Sequence, residues 1–83
     1  MEKLLLVGAG GFGRVVLEHA SGIYDCAFLD DGEAKVVDGV PVIGKTYDME
    51  AFYPEYKMLL VTIGNNKLRE RLYKKAAEIG YTF

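Results

Sequence analysis

This sequence has little of what reactive or anchored proteins tend to carry. Cys26 is its single cysteine and His19 its single histidine. One cysteine allows no internal disulfide and no cysteine metal cluster. A reducing cytoplasm is therefore the simplest expected home. No charge of one sign dominates. The net charge is −2, which gives no case for nucleic acid or an anionic membrane as the main partner. The longest aliphatic runs are LLLV (4–7) and MLLV (58–61). Both are far too short to span a bilayer. The opening MEK is not a basic n-region, and glycines interrupt the apolar stretch after it, so no signal peptide is expected.

What remains is a globular composition. Hydrophobic residues make up 51% and charged residues 27%, a balance that favours a packed core over disorder. With 83 residues, one domain is expected, 1–83. A chain this short buries roughly 60–70% of its unfolded surface, which leaves modest stability.

The pattern along the chain alternates. Leu4 to Val7 is a continuous apolar run ended by Gly8, as in a strand buried on both faces. Phe12, Val15, Val16, Ala20 and Ile23 then mark one face of a helix. Ser21-Gly22 stops it. Tyr24 to Leu29 reads as a second strand, ended by Asp30, Asp31 and Gly32. Residues 31–46 are less regular. Asp38-Gly39 is a good turn dipeptide between two valine-rich pieces, so a small hairpin or an extended excursion is expected. Tyr47 to Phe52 suits a short helix stopped before Pro54. Lys57 to Ile63 is the third strand. Asn65 or Asn66 can cap the next helix, whose buried stripe is Leu68, Leu72, Ala76 and Ile79. Gly80 fits its C-terminal cap. Tyr81 to Phe83 reads as the start of a fourth strand. This order predicts an α/β domain with a parallel sheet and right-handed crossovers.

In such a sheet, ligands bind beyond the carboxyl ends of the strands. Three chemically distinctive segments fall there. The first is VGAGGFG (7–13), in which Gly8, Gly10 and Gly13 have the G-x-G-x-x-G spacing. Gly8 can make the tight turn, Gly10 lets the backbone approach a diphosphate, and Gly13 lets helix and strand pack closely. The helix end offers unpaired N–H groups and a positive dipole. The spacing alone is a weak signal, and its position between strand and helix strengthens it. The bland alternative is a tight turn that binds nothing. The second segment is Asp30-Asp31. Asp30 lies 17 residues after Gly13 and can accept from ribose hydroxyls or a base N–H. The alternative is a pair of turn-forming carboxylates. The third is Gly64-Asn65-Asn66, whose amides can bond a ligand or cap the helix.

Other polar residues read as structural. His19 lies about 9 Å along the helix axis from Gly13, too far for acid–base work at the loop, so a packing or surface role is expected. Cys26 reads as a buried small hydrophobe. The basic last helix is interleaved with Glu70 and Glu78, and Glu70–Lys74 is a favourable i,i+4 pair, so a solvated face is expected. No metal cluster, nucleophile–base pair or placed general base is apparent. A dinucleotide site needs a second mononucleotide half, for which this length is too short. The first half of an NAD-binding oxidoreductase domain and a non-catalytic nucleotide-sensing module are the alternative readings.

KLLLVGAGGFGRVVLEHA, FLDD, VDGVPVIG and LLVTIGNNKLRERLYKKAAEIGYTF, in that order, resemble the N-terminal domain of the sialic acid O-acetyltransferase / bacillosamine N-acetyltransferase family. The resemblance implies a small Rossmann-like three-layer domain, with a parallel sheet of about four strands and helices on both faces. It implies a nucleotide-sugar ligand, typically a UDP-amino sugar, and a role in cell-surface glycan biosynthesis. Gly10, Gly11 and Gly13 would lie against the diphosphate or ribose, Asp30 and Asp31 would approach the uridine, and Gly64, Asn65 and Asn66 would share the pocket wall. Gly8 and Phe12 complete the expected substrate-binding set. Family members continue into a C-terminal hexapeptide-repeat β-helix that binds acetyl-CoA, forms the trimer and supplies the catalytic histidine. Residues 1–83 would thus bind no cofactor, carry no catalytic residue and hold no metal. The family commonly reads GGHG where this sequence has Gly10-Gly11-Phe12-Gly13. Phe12 neither donates a hydrogen bond nor carries charge, which leaves room for a different sugar or phosphate preference.

Overall fold

Leu4, Leu5, Leu6 and Val7 are all at most 2% exposed, as a strand covered on both faces must be. They belong to β1 (Lys3–Val7), an interior strand of the sheet. The computed structural model describes all residues, Met1–Phe83. β1 leads to α1 (Gly11–Ala20), β2 (Asp25–Leu29), β3 (Val36–Val37), β4 (Val40–Gly44), a 3-10 helix (Thr46–Phe52), β5 (Met58–Val61) and α2 (Asn66–Ile79). The spatial order is β3-β4-β2-β1-β5. β1 pairs in parallel with both β2 and β5. In that register Val7 lies beside Leu29 and Val61. The three strands therefore end level, and their loops leave from one edge.

Successive side chains of each strand point to opposite faces, and the two faces carry separate cores. Leu5, Val7, Ala27, Leu29, Leu59 and Val61 pack with Met49, Leu72, Ala76 and Tyr81 on one side. Leu4, Leu6, Cys26 and Phe28 pack with Leu17 and Ala20 of α1 on the other. The helices thus cover both faces, as expected for a Rossmann-like three-layer α/β domain.

Three expectations need correction. The sheet has five strands rather than about four. The irregular 31–46 segment supplies two of them, because Asp38 and Gly39 both adopt positive φ, 50° and 80°. That is the twist a tight hairpin turn requires. β4 then pairs antiparallel with β3 and parallel with β2. Second, the strand expected at 81–83 is reduced to one parallel bridge, Met58 to Thr82. Third, the stripe read on α1 is rotated. Phe12, Val15 and Ile23 are 46%, 54% and 63% exposed, and Gly13, Leu17 and Ala20 face the sheet. The close approach of Gly13 to the Gly8 backbone sets the rotation.

Tyr81 is buried, and its hydroxyl donates to the Met49 carbonyl at 2.6 Å. Burial, with a smaller contribution from Tyr53, pushes its pKa from the ordinary 10 up to about 12. The unfolded chain would release this proton near pH 10, while the folded protein holds it to about pH 12. Between those values the folded state binds more protons, so stability falls as pH rises. Urea melts at pH 9 and pH 11.5 should show a loss of roughly 2 kcal/mol that Tyr81→Phe abolishes. An equal loss in both proteins would assign it to other groups.

Candidate functional site

The glycine loop sits at the carboxyl end of β1, between the ends of β2 and β5. Its backbone turns at Gly8, whose φ is +119°. The Gly8 N–H donates to Leu29 O at 2.8 Å, and Thr62 N–H donates to Val7 O at 2.9 Å. The loop is thus tied to both neighbouring strands.

The glycines divide into two groups. A Cβ on Gly13 would lie 2.0 Å from Gly8 O. One on Gly8 would lie 2.8 Å from both Thr62 O and an Ile63 side-chain carbon. These two glycines are required by the fold itself. At Gly10, Gly11 and Gly64 a Cβ would meet nothing within 4 Å. Neither internal packing nor a positive φ explains glycine there. The backbone there is open to close approach by a group from outside the chain.

The start of α1 is open in a second sense. Gly10 is its N-cap, with no side-chain cap bond, and no acidic residue lies in the first turn. By contrast α2 is capped: Asn65 Oδ1 accepts the Leu68 N–H at 2.9 Å. An uncapped helix start leaves N–H groups seeking an acceptor and suits an anion. Phe12 stands exposed on this first turn.

The acidic pair is already engaged. Asp30 Oδ1 accepts the Ala9 N–H at 2.8 Å, and Oδ2 accepts the Gly32 N–H at 2.9 Å. Each oxygen keeps a second acceptor position. Asp31 turns the other way. Its carboxylate accepts the Thr46 N–H at 2.9 Å and the Thr46 hydroxyl at 2.9 and 3.0 Å. Asn66 Oδ1 accepts from Arg69 Nη2 at 2.6 Å, and Gly64 is exposed between the loop ends. Gly8, Gly10, Gly11, Phe12, Gly13, Asp30, Gly64, Asn65 and Asn66 therefore share one edge of the sheet, while Asp31 anchors the 3-10 helix.

Two cavities are relevant. One of about 290 Å³ is lined by Asp30, Gly32 to Lys35 and Val42 to Lys45. It adjoins the loop edge. Linear pattern gives no sign of Glu33, Lys35 or Lys45 there, because they come together only when β4 pairs with β2. A larger one, about 510 Å³, is lined by Glu2, Lys3, Tyr53, Glu55, Lys57, Met58, Gly80 and Thr82. It lies at the opposite, amino end of the strands, away from the open glycines of the loop. Of the residues at the loop edge, only Asp30 lines the smaller cavity, and none lines the larger one.

Elsewhere the polar residues read as structural. His19 is exposed. Cys26 is buried, and burial pushes its thiol up. Arg14 pairs with Asp38 at 3.0 Å, tying α1 to the β3–β4 turn. No group of three His, Cys, Asp or Glu side chains is placed to hold a metal. No helix is long and apolar enough to cross a membrane.

Residues 3–76 match the family described as the PglD N-terminal domain. Among solved structures, the chain is similar to the acetyltransferase domain of PglB from Neisseria gonorrhoeae FA1090, with 41% identity and a TM-score of 0.86. That match covers 98% of this chain and 42% of the other. A further structure of the same domain is a complex with acetyl coenzyme A. The chain is also similar to a mutant perosamine N-acetyltransferase from Caulobacter crescentus in complex with CoA and GDP-perosamine, with 31% identity and a TM-score of 0.87. All of this chain and 41% of that one are covered. The chain thus spans about two fifths of the length of these structures.

Proposed function

Because this chain belongs to the PglD N-terminal domain family, we propose that it is the nucleotide-sugar-binding domain of an acetyl-CoA-dependent sugar acetyltransferase. The observation that carries the reading is the open glycine set. Gly10, Gly11 and Gly64 have free space where a Cβ would stand, beside a helix start with no cap. In this reading the diphosphate lies over Gly10, Gly11 and Gly13, against the first N–H groups of α1. Asp30 approaches the ribose or base from the cavity it lines. Asp31 joins it only if its contact with Thr46 opens. Gly64, Asn65 and Asn66 form the facing wall, and Phe12 offers an apolar surface at the mouth.

The ligand we propose is a UDP-amino sugar. A relative holds GDP-perosamine, so both bases belong in the test. Acyl transfer, acetyl-CoA binding and trimer formation are assigned to a C-terminal β-helix domain, with an amine or hydroxyl of the bound sugar as acceptor. Residues 1–83 hold no metal-binding cluster and supply orientation. Holding the acceptor in place removes part of the entropic barrier to transfer.

Calorimetric titration with UDP, UDP-N-acetylglucosamine, a UDP-4-amino sugar, GDP-perosamine and NAD checks this. Binding of nucleotide sugars is expected, with weaker binding by Asp30→Ala. A ligand at 100 times its Kd should also stabilise the fold by about 2.7 kcal/mol. Binding of NAD alone would replace the reading with that of an oxidoreductase half-domain.

A further inference from the structure

We infer that Thr62 is a positioning residue for the anion-binding loop, acting with Asp30 as the two ends of a clamp on a single peptide plane. The inference rests on the nucleotide-sugar site proposed above and adds to it a residue that need not touch ligand.

The peptide between Gly8 and Ala9 is a rigid planar unit. Thr62 Oγ1 donates to its carbonyl, Gly8 O, at 2.7 Å. Its N–H, on Ala9, donates to Asp30 Oδ1 at 2.8 Å. One contact comes from the end of β5 and the other from the end of β2, so the plane is held from both sides of β1. Thr62 Oγ1 also lies 3.2 Å from Val7 O. A hydroxyl has one proton to give, and the shorter contact, at the usual O–H···O distance, assigns it to Gly8 O.

The clamp has a reason to exist. Gly8 has φ +119°, in a part of conformational space that glycine crosses with little steric resistance. Local sterics therefore do not choose the direction of the following peptide. The two hydrogen bonds do, and the Asp30 bond is strengthened by the carboxylate charge. The next residues are Gly10 and Gly11, whose N–H groups open α1. Thr62 is 4% exposed, and its hydroxyl lies 3.1 Å from where a Cβ on Gly13 would stand. It is thus sealed behind the loop and acts on any anion only through it.

The test uses Thr62→Val, which swaps the hydroxyl for a methyl of similar size, and Thr62→Ser, which keeps the hydroxyl and drops the methyl. Two quantities are measured in each and in the unsubstituted protein. One is amide hydrogen exchange of residues 8–13 without ligand. The other is the Kd for a UDP-4-amino sugar and for GDP-perosamine. Thr62→Val should speed exchange in the loop about tenfold, the scale of one buried hydrogen bond, with exchange in β1 and β2 unchanged. It should weaken nucleotide-sugar binding by a similar factor, and Thr62→Ser should restore both. Unchanged loop exchange in Thr62→Val, uniform acceleration across the whole domain, or an unchanged Kd would each overturn the inference. A loosened loop in a protein whose unsubstituted form binds no nucleotide sugar would instead remove the proposed ligand and leave the clamp standing.

Discussion

Gly13→Ala is expected to lower stability by roughly 3 kcal/mol, by overpacking at a site with no room to relax. A Cβ there would stand 2.0 Å from Gly8 O and 3.0 Å from Gly8 C. Both are backbone atoms of a loop fixed by hydrogen bonds to β2 and β5, so no side chain can swing aside. The first turn of α1 would have to lift from the sheet, and Leu17 and Ala20 would go with it. A domain of this size is expected to have about 4–12 kcal/mol in total. The drop in Tm should be roughly 12–24 °C. Thermal unfolding followed by circular dichroism checks this, and a drop below about 5 °C would mean that the loop relaxes more easily than the contact geometry implies.

Gly11→Ala should behave in the opposite way. Gly11 is the first residue of α1, where alanine is a better helix former. Its φ is not positive and its Cβ would meet no atom. By restricting the unfolded chain, the substitution should raise stability by about 0.4–1 kcal/mol. The new methyl would stand where the diphosphate is proposed to approach, so nucleotide-sugar binding should weaken at least about tenfold, ~1.4 kcal/mol. A rise in Tm together with lost binding is hard to obtain unless glycine is kept there for a ligand. Tight binding by Gly11→Ala would show that the anion lies elsewhere. Loss of Tm would show that the glycine serves the fold after all. The pair Gly13→Ala and Gly11→Ala thus separates the glycines the fold needs from those it leaves free.

The relatives also bound the ligand question. GDP-perosamine is bound in one of them, so nucleotide sugars of both bases belong in the binding test. The cavity lined by Glu33, Lys35 and Lys45 beside Asp30 adds charged side chains to the loop edge.

Much of this fold is written in local pattern. LLLV, CAFL and MLLV are short apolar runs ended by turn residues; the first two became buried strands and the third a half-buried one. Leu68, Leu72, Ala76 and Ile79 line one face of α2, and Asn65 and Gly80 cap it. These features depend on residues at most a few positions apart, so a linear reading reaches them. So does the common edge on which the glycine loop, Asp30 and Gly64 meet, because neighbouring parallel strands of similar length end together. The family resemblance rests on the same ordered landmarks.

Contacts between distant residues decided the rest. Apolar spacing favoured Phe12 and Val15 as the buried face of α1, yet Gly13 must touch Gly8, and that contact turns those side chains to solvent. Asp30 and Asp31 are adjacent and chemically alike. One bonds Ala9 and the other Thr46 because β4 and the 3-10 helix return to the end of β2, a path no local pattern specifies. Thr62 reads as one more β-branched strand residue. Only the parallel register of β1 with β5 places its hydroxyl on Gly8. The sequence by itself determined three parallel strands, β1, β2 and β5, and the two α-helices to within a few residues, since those arise from near-neighbour periodicity. The tertiary structure alone decided which side chains at the strand ends hold the loop and which are left facing the open edge.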